Sequence, residues 1–178
     1  MIELKYLEPE DREAFIRDNQ EAFNYGALQE FGKLDDHFEE DGQIISRKTI
    51  ERSIDQGIAY RIVADGKIVG GAVIRIHGNR GHLELLFVSP HAHSKGIGYA
   101  AWGEIEKLHP EVLVWETVTP YFEKRNIHFY VNRCGFHIVE FFNSHHQNPN
   151  EPLDEPETEN GSEEECSSEM FRFEKKMK

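Results

Sequence analysis

Apolar and polar positions alternate from Ile2 to Leu7, which predicts a first strand. Pro9, followed by Glu10 and Asp11, has the make-up of a helix start, and Phe15, Ile16, Ala22, Phe23 and Ala27 fall on one face of the helix it opens. Gly32 to Gly42 is polar and acidic and reads as a loop; Ser46 is placed to cap a second helix through Ile50 and Ile54, ending near Gly57. Ile58 to Ala64 and Lys67 to Ile76 form a hairpin around Asp65-Gly66, and Gly70-Gly71 within it predicts a bulge or a close backbone approach. Asn79-Arg80-Gly81 predicts a turn into a strand from His82 to Val88. A helix follows from Gly96 to Leu108, with Ile97, Ala101, Ile105 and Leu108 on its apolar face, then a strand from Val112 to Thr117. Pro120 to Cys134 reads as a helix with Ile127, Tyr130, Val131 and Cys134 on one stripe, closed by Gly135. Strands are predicted at Phe136 to Phe142 and Met170 to Lys175, separated by a long polar loop, residues 143–168. The order βααβββαβαββ predicts one α/β (α+β) domain over residues 1–178, with a central, mostly antiparallel sheet flanked by helices.

Charge changes this picture in one place. The net charge is −13, yet nine acidic residues and no Lys or Arg lie between Glu151 and Glu169, so the rest of the chain carries only −4. That stretch reads as a solvated, mobile loop before the last strand. An acidic chain is not built for nucleic acid, which requires a basic face. No apolar run approaches the roughly 20 residues needed to span a membrane. Glu3, Lys5, Glu8 and Glu10 interrupt any signal pattern, so a cytoplasmic protein is expected. Cys134 and Cys166 provide neither a disulfide framework nor zinc spacing. His91-x-His93 and His145-His146 lack a full ligand set, so no metal is expected.

The densest chemical signal runs from Leu83 to Gly98: a strand, a short turn and a glycine-marked loop that opens a helix. A helix N-terminus carries unpaired N–H donors and partial positive charge, and glycines let an anion approach the backbone, so the segment suits a phosphate or pyrophosphate. Val88-Ser89-Pro90 with His93-x-x-Gly96-x-Gly98, followed by Asn126-Ile127-His128-Phe129-Tyr130 and Gly135-Phe136, resembles the GNAT superfamily of N-acetyltransferases over nearly the whole chain. The resemblance implies the GNAT acyl-CoA N-acyltransferase fold, acetyl-CoA as co-substrate, and direct transfer to a primary amine of a small molecule, peptide or protein in a ternary complex. It also implies that the first two helices and the loop between them shape the acceptor pocket. Phe23, Tyr25 and Phe31 either line that pocket or belong to the core. The chain departs from the family in three places: His93 stands where Gln or Arg usually opens the loop, four residues rather than three separate Tyr130 from Gly135, and the family's polar Asn near the start of this helix falls on Glu123, with Asn126 nearby. Counted back from Gly135, Val131 takes the tyrosine's place.

Acyl transfer to an amine must remove a proton from an ammonium whose pKa is about 10, stabilise an oxyanion and assist a leaving thiolate. Glu84 is the candidate base, directly or through water, and is expected to share a strand face with His82, Leu86 and Val88. The alternative base, His82, has an imidazole that titrates nearer neutrality. Against the base reading of Glu84 stands the plainer one, an exposed strand residue or an ion-pair partner. Tyr130 is the candidate acid for the thiolate, or a core tyrosine. The candidate cofactor contacts are Phe87 and Val88 for the pantetheine arm, His93, Ser94, Lys95, Gly96, Ile97 and Gly98 for the pyrophosphate, and Asn126 and Tyr130 beyond them. A backbone N–H of the strand ending at Val88 is a further candidate, for the thioester oxygen. Trp102 and Trp115 read as core or cofactor-edge residues, and Cys134 as a buried small residue.

Two other readings compete. Gly96-x-Gly98-x-x-Ala101 with Glu116 twenty residues on fits a dinucleotide fingerprint, but seven residues separate Val88 from Gly96 and no βαβ alternation precedes it. A non-catalytic acyl-CoA sensor or interaction module on the same fold is the third. The acidic surface favours a cationic acceptor such as a polyamine, an aminoglycoside-like compound or a lysine or N-terminal amine. The sequence leaves the oligomeric state open, a homodimer included.

Overall fold

A computed structural model describes residues 1–32, 42–92, 96–150 and 169–178. The chain forms two compact units, Met1–Glu116 with Lys175–Lys178, and Thr117–Glu174. In the first unit β1 (Ile2–Tyr6) is followed by a 3-10 turn (Pro9–Asp11), α1 (Arg12–Phe31), α2 (Arg47–Gln56), β2 (Ile58–Ala64), β3 (Lys67–His77), β4 (Arg80–Val88) and α3 (Ile97–Leu108). Its sheet runs in the order β1-β2-β3-β4-β5, antiparallel through β4, where β5 (Val114–Pro120) joins in parallel. The second unit holds the end of β5, α4 (Lys124–His128), a π-helical turn (Phe129–Arg133), β6 (His137–Phe142) and β7 (Met170–Lys176), with β6 and β7 antiparallel. This is the mixed α/β arrangement expected, a mostly antiparallel sheet with flanking helices.

Local chemistry accounts for most element boundaries. Ser46 Oγ accepts from the Thr49 N–H at 3.1 Å, capping α2 as its sequence position requires. Asp65 and Gly66 both adopt positive φ, 49° and 78°, the geometry of a two-residue hairpin turn that matches strand twist. At Gly70 and Gly71 both expectations hold. The β2–β3 register skips Val69, and a Cβ on Gly71 would lie 2.4 Å from the Phe15 ring.

Side chains from both faces of the sheet build the core of the first unit. On one face Phe15 and Ile16 of α1 and Ile50 of α2 pack with Val73, Leu85 and Phe87, and the Phe15 and Phe87 rings meet edge-on at 5.1 Å. On the other face Ile97 and Ala101 of α3 pack with Ile62, Leu86 and Val88. Arg61 lies within the first face, its guanidinium bonded to Asp11 at 2.5 and 3.0 Å and to Asp18 at 2.9 Å.

Four expectations are corrected. The turn before β4 is Gly78-Asn79, with Gly78 at φ 59°, so Arg80 and Gly81 already belong to the strand. Leu108, at the last position of α3, is exposed, and Trp102 takes the buried place next to Ala101. The helix expected from Pro120 to Cys134 is only α4 and the π turn, because β5 runs on to Pro120. Of its stripe Tyr130 and Cys134 are buried, while Ile127 and Val131 are half-buried. Finally, Leu86 and Val88 do not share a face with Glu84. The β3–β4 register pairs Val73 with Leu85 and Ile74 with Leu83, leaving Glu84 as the unpaired residue of a bulge. One extra residue breaks the two-residue alternation and re-aims the side chains around it.

Candidate active site

The β4–β5 ladder consists of Arg80↔Val114, Gly81↔Trp115 and His82↔Glu116, and goes no further. From Leu83 to Val88 the β4 backbone on this edge takes no part in that ladder. At the far end of the same stretch, Leu86 and Val88 rest against Ile97 and Ala101, which sets the N-terminus of α3 beside the end of β4. Gly96 caps α3 with φ 102°, a conformation L side chains rarely adopt, and its carbonyl accepts the first intrahelical bond, from Ala100 at 2.9 Å. The helix itself therefore supplies no acceptor for the N–H groups of Ile97, Gly98 and Tyr99. Ser89 N–H is tied to Val69 O at 2.7 Å, and Ala92 N–H to Ser89 O at 3.0 Å, so the chain turns sharply after β4. His93, Ser94 and Lys95 lie outside the described residues.

The bulge at Glu84 gathers three polar side chains. Arg75 and His82 are direct cross-strand partners, so their side chains leave the sheet on the same face. That face is the one covered by α2, because Arg75 Nη1 donates to Gln56 Oε1 at 3.3 Å. Arg75 Nε donates to Glu84 Oε1 at 2.5 Å, and its Nη2 contacts the same oxygen. His82 Nδ1 lies 3.1 Å from that oxygen, buried, although the ring is not aligned for a hydrogen bond. Burial pushes the Glu84 carboxyl up, but His82 and Arg75 outweigh it and hold it below the ordinary carboxylate range. Glu84 is thus both a candidate for the chemistry and the ion-pair partner of the plainer reading. Sequence reasoning missed Arg75 entirely.

In the second unit Tyr130 is buried against Phe136 and Phe173, ring centroids 5.7 and 5.6 Å away. Burial pushes its phenol up to about 12, a hydrogen bond with Thr117 pulls it down, and Cys134 adds a further upward push. Cys134 N–H bonds to Phe129 O at 3.0 Å, the five-residue step of a π turn, and Phe136 N–H bonds to Tyr130 O at 2.9 Å. The extra residue between Tyr130 and Gly135 is absorbed here, leaving Tyr130 rather than Val131 in the buried position. Asn126 is exposed and donates to Thr119 Oγ1 at 3.2 Å.

Of the acceptor-side candidates, Tyr25 lines an open groove of about 600 Å³ on the outer face of α1 with Arg17, Gln20, Glu21, Asn24 and Gln43. Phe23 packs onto the core instead, and the Phe31 side chain lies outside the described residues. Glu21 meets His91 Nε2 at 3.2 Å, linking α1 to the turn after β4. Trp102 and Trp115 are core residues, edge-on at 5.1 Å. Glu116, the acidic residue of the dinucleotide fingerprint, is paired with Arg80 at 2.5 Å. Cys134 is buried, and Cys166 lies outside the described residues.

The described sheet is antiparallel through β4 and admits β5 in parallel through a single crossover helix, α3, so it lacks the run of successive parallel strands on which a dinucleotide-binding fold is built. Residues 12–136 match the Acetyltransferase (GNAT) family, and the chain belongs to that family. It is 49% identical over 150 residues to the uncharacterized protein YrkN of Bacillus subtilis (strain 168), a match covering 82% of this chain and 78% of that one. Among solved structures it resembles the PaiA N-acetyltransferase of Thermoplasma acidophilum in complex with coenzyme A, with TM-score 0.62 and 19% identity over 99% of both chains. It also resembles a GNAT family acetyltransferase of Elizabethkingia anophelis with acetyl-CoA bound, with TM-score 0.61 and 15% identity over 99% of this chain and 98% of that one.

Proposed function

We propose that this protein is an acetyl-CoA-dependent N-acetyltransferase acting on a primary amine, by direct transfer in a ternary complex. One observation carries the reading: the edge of β4 that leaves its ladder at His82 ends beside a glycine-capped helix whose first N–H groups, Ile97 and Gly98 among them, have no acceptor within the helix itself. That donor set fits the coenzyme. The N–H groups of Ile97 and Gly98, at the positive end of α3, suit the pyrophosphate, and the backbone at Phe87 and Val88 suits the amide-bearing pantetheine arm. His93, Ser94 and Lys95 complete the same loop in the sequence, and Asn126 is a further candidate contact. Bound acetyl-CoA would supply an activated acyl carbon and a thiolate leaving group.

The chain's own residues supply the rest. Glu84 or His82 takes the ammonium proton. The freed nitrogen lone pair forms the C–N bond, the C–S bond breaks with its electron pair leaving on sulfur, and the nitrogen gives up its second proton to solvent as the amide forms. Tyr130, the candidate acid of the sequence, returns a proton to that sulfur. A cationic amine is favoured by the acidic chain and by Glu21 in the groove on α1. No described helix is long and apolar enough to cross a membrane. We place the protein in the cytoplasm, where acetyl-CoA is available.

The test has two stages. Thermal unfolding is followed with acetyl-CoA and with NADH. At about 100 times its dissociation constant a true ligand adds roughly 2.7 kcal/mol, or about 5–11 °C for a chain of this size. Thiol release is then followed with spermidine, an aminoglycoside, and peptides bearing lysine or N-terminal amines. Stabilisation by acetyl-CoA alone together with thiol release for one amine supports the enzyme. Stabilisation without release across the panel points to the sensor. A rise with NADH alone would overturn both.

A further inference from the structure

We propose that Arg75 is a positioning residue of this site: its guanidinium pins Glu84 Oε1 against His82 Nδ1, which leaves His82 Nε2 as the atom that accepts the amine proton. The inference deepens the acetyl-transfer reading and rests on it. Three nitrogens crowd one carboxylate oxygen, namely Arg75 Nε at 2.5 Å, Arg75 Nη2, and His82 Nδ1 at 3.1 Å. A proton arriving at Glu84 would have to weaken a two-pronged guanidinium contact on a carboxylate only 17% exposed. Glu84 is therefore poorly suited to be the acceptor and well suited to orient one. His82 Nδ1 is buried 3.1 Å from that carboxylate oxygen, and a small turn of the ring lets it carry its hydrogen there, which stabilises the Nδ1–H form. The second nitrogen of the neutral ring is then a lone-pair acceptor, and the ring keeps 29% of its side chain open.

The backbone enforces this grouping. The register places Arg75 opposite His82, and the bulge turns Glu84 toward both. Gln56 at the end of α2 holds Arg75 from its other side at 3.3 Å. The remaining nearby charges are already engaged: Glu116, opposite His82 on β5, with Arg80, and Asp55 and Glu51 on α2 with Arg12 and Arg47. Arg75 is the cation that faces Glu84 directly.

The test is long-range ¹H–¹⁵N imidazole NMR on the full chain, with His82 assigned by loss of its signals in His82→Gln. The wild type and Arg75→Lys are expected to show His82 with hydrogen on Nδ1. Arg75→Met and Glu84→Gln are expected to move the ring toward the Nε2–H form, because the carboxylate is no longer pinned or no longer charged. A ¹³C titration of Glu84 is expected to shift upward in Arg75→Met and to return in Arg75→Lys. An Nε2–H ring in the wild type, or a tautomer unchanged by Arg75→Met, overturns the proposal. Should Arg75→Met fail to fold, an unchanged tautomer in Glu84→Gln overturns it equally. None of these measurements uses acetyl-CoA, so failure here is separable from failure of the acetyl-transfer reading.

Discussion

Replacing Tyr130 by Phe removes one oxygen from a buried ring and separates two roles by magnitude. The ring keeps its contacts with Phe136 and Phe173, so the core loses no apolar volume. What is lost is the hydrogen bond with Thr117. Such a bond contributes about 1 kcal/mol net, which lowers the melting temperature of a chain this size by about 2–4 °C. If the phenol also protonates the departing sulfur, turnover falls by roughly 10²–10⁴, equal to about 3–5 kcal/mol of barrier. Burial holds the phenol at about 12, so it stays protonated throughout the neutral range and adds no limb to a pH–rate profile below about pH 11. The assay is thiol release from acetyl-CoA by whichever amine the panel identifies, with melting measured on the same sample with and without acetyl-CoA. Turnover within about threefold of wild type, alongside the small melting shift, would refute the acid role and leave Tyr130 as a packing residue.

Arg61→Met should destabilise the protein by about 3 kcal/mol, read by urea unfolding, because it leaves Asp11 and Asp18 facing each other without their cation; a loss under about 1 kcal/mol would contradict this account. Ser46→Ala should cost about 1 kcal/mol by the same method, with acetyl-CoA binding unchanged. Burial pushes Tyr60 and Tyr130 both up to about 12, so the stability they contribute is complete below about pH 10 and is lost as pH rises toward 12. Tyr60→Phe should flatten that alkaline fall, and an unchanged slope would show that Tyr60 does not ionise on unfolding. Glu84 has the opposite sign: its depressed carboxyl favours the fold above the ordinary carboxylate range and loses that contribution as pH falls. Glu84→Gln should therefore make acid unfolding shallower.

Periodicity and turn chemistry were enough to read the elements with regular repeats. Ser46 announces its helix because a hydroxyl before an apolar-periodic run has one good use, and Asp65-Gly66 announces its hairpin because both residues tolerate positive φ. Placing the next turn was harder. Asn79-Arg80-Gly81 and Gly78-Asn79 are both acceptable turn sequences, and Gly78 at φ 59° decides between them. The displacement has a consequence for the site. With the turn at Gly78-Asn79, His77 pairs with Arg80, Ile76 with Gly81 and Arg75 with His82. A turn placed later in the sequence breaks that register, which is why Arg75 was invisible as a partner of His82 and Glu84.

The remaining misreadings share one physical cause. A face assignment from sequence assumes a repeat of two in a strand or 3.6 in a helix, and a single inserted residue resets the phase of everything beyond it. The chain has three such insertions in its described elements near the candidate groups. Val69 is skipped in the β2–β3 register, Glu84 bulges from β4, and the turn from Phe129 to Arg133 carries one residue more than an α-helical turn. The second turns Glu84 away from Leu86 and Val88 and toward Arg75. The third buries Tyr130 at the place that counting back from Gly135 would have given to Val131. Regular hydrogen bonding aims side chains evenly along an element, whereas bringing a carboxylate, an imidazole and a guanidinium to one point requires a local break in that regularity. Removing the extra residue would therefore change the chemistry before it changed the fold. A chain lacking Glu84 can keep a continuous β3–β4 ladder, with Leu83 still opposite Ile74 and Leu85 opposite Val73, but it leaves Arg75 and His82 facing each other without a carboxylate between them.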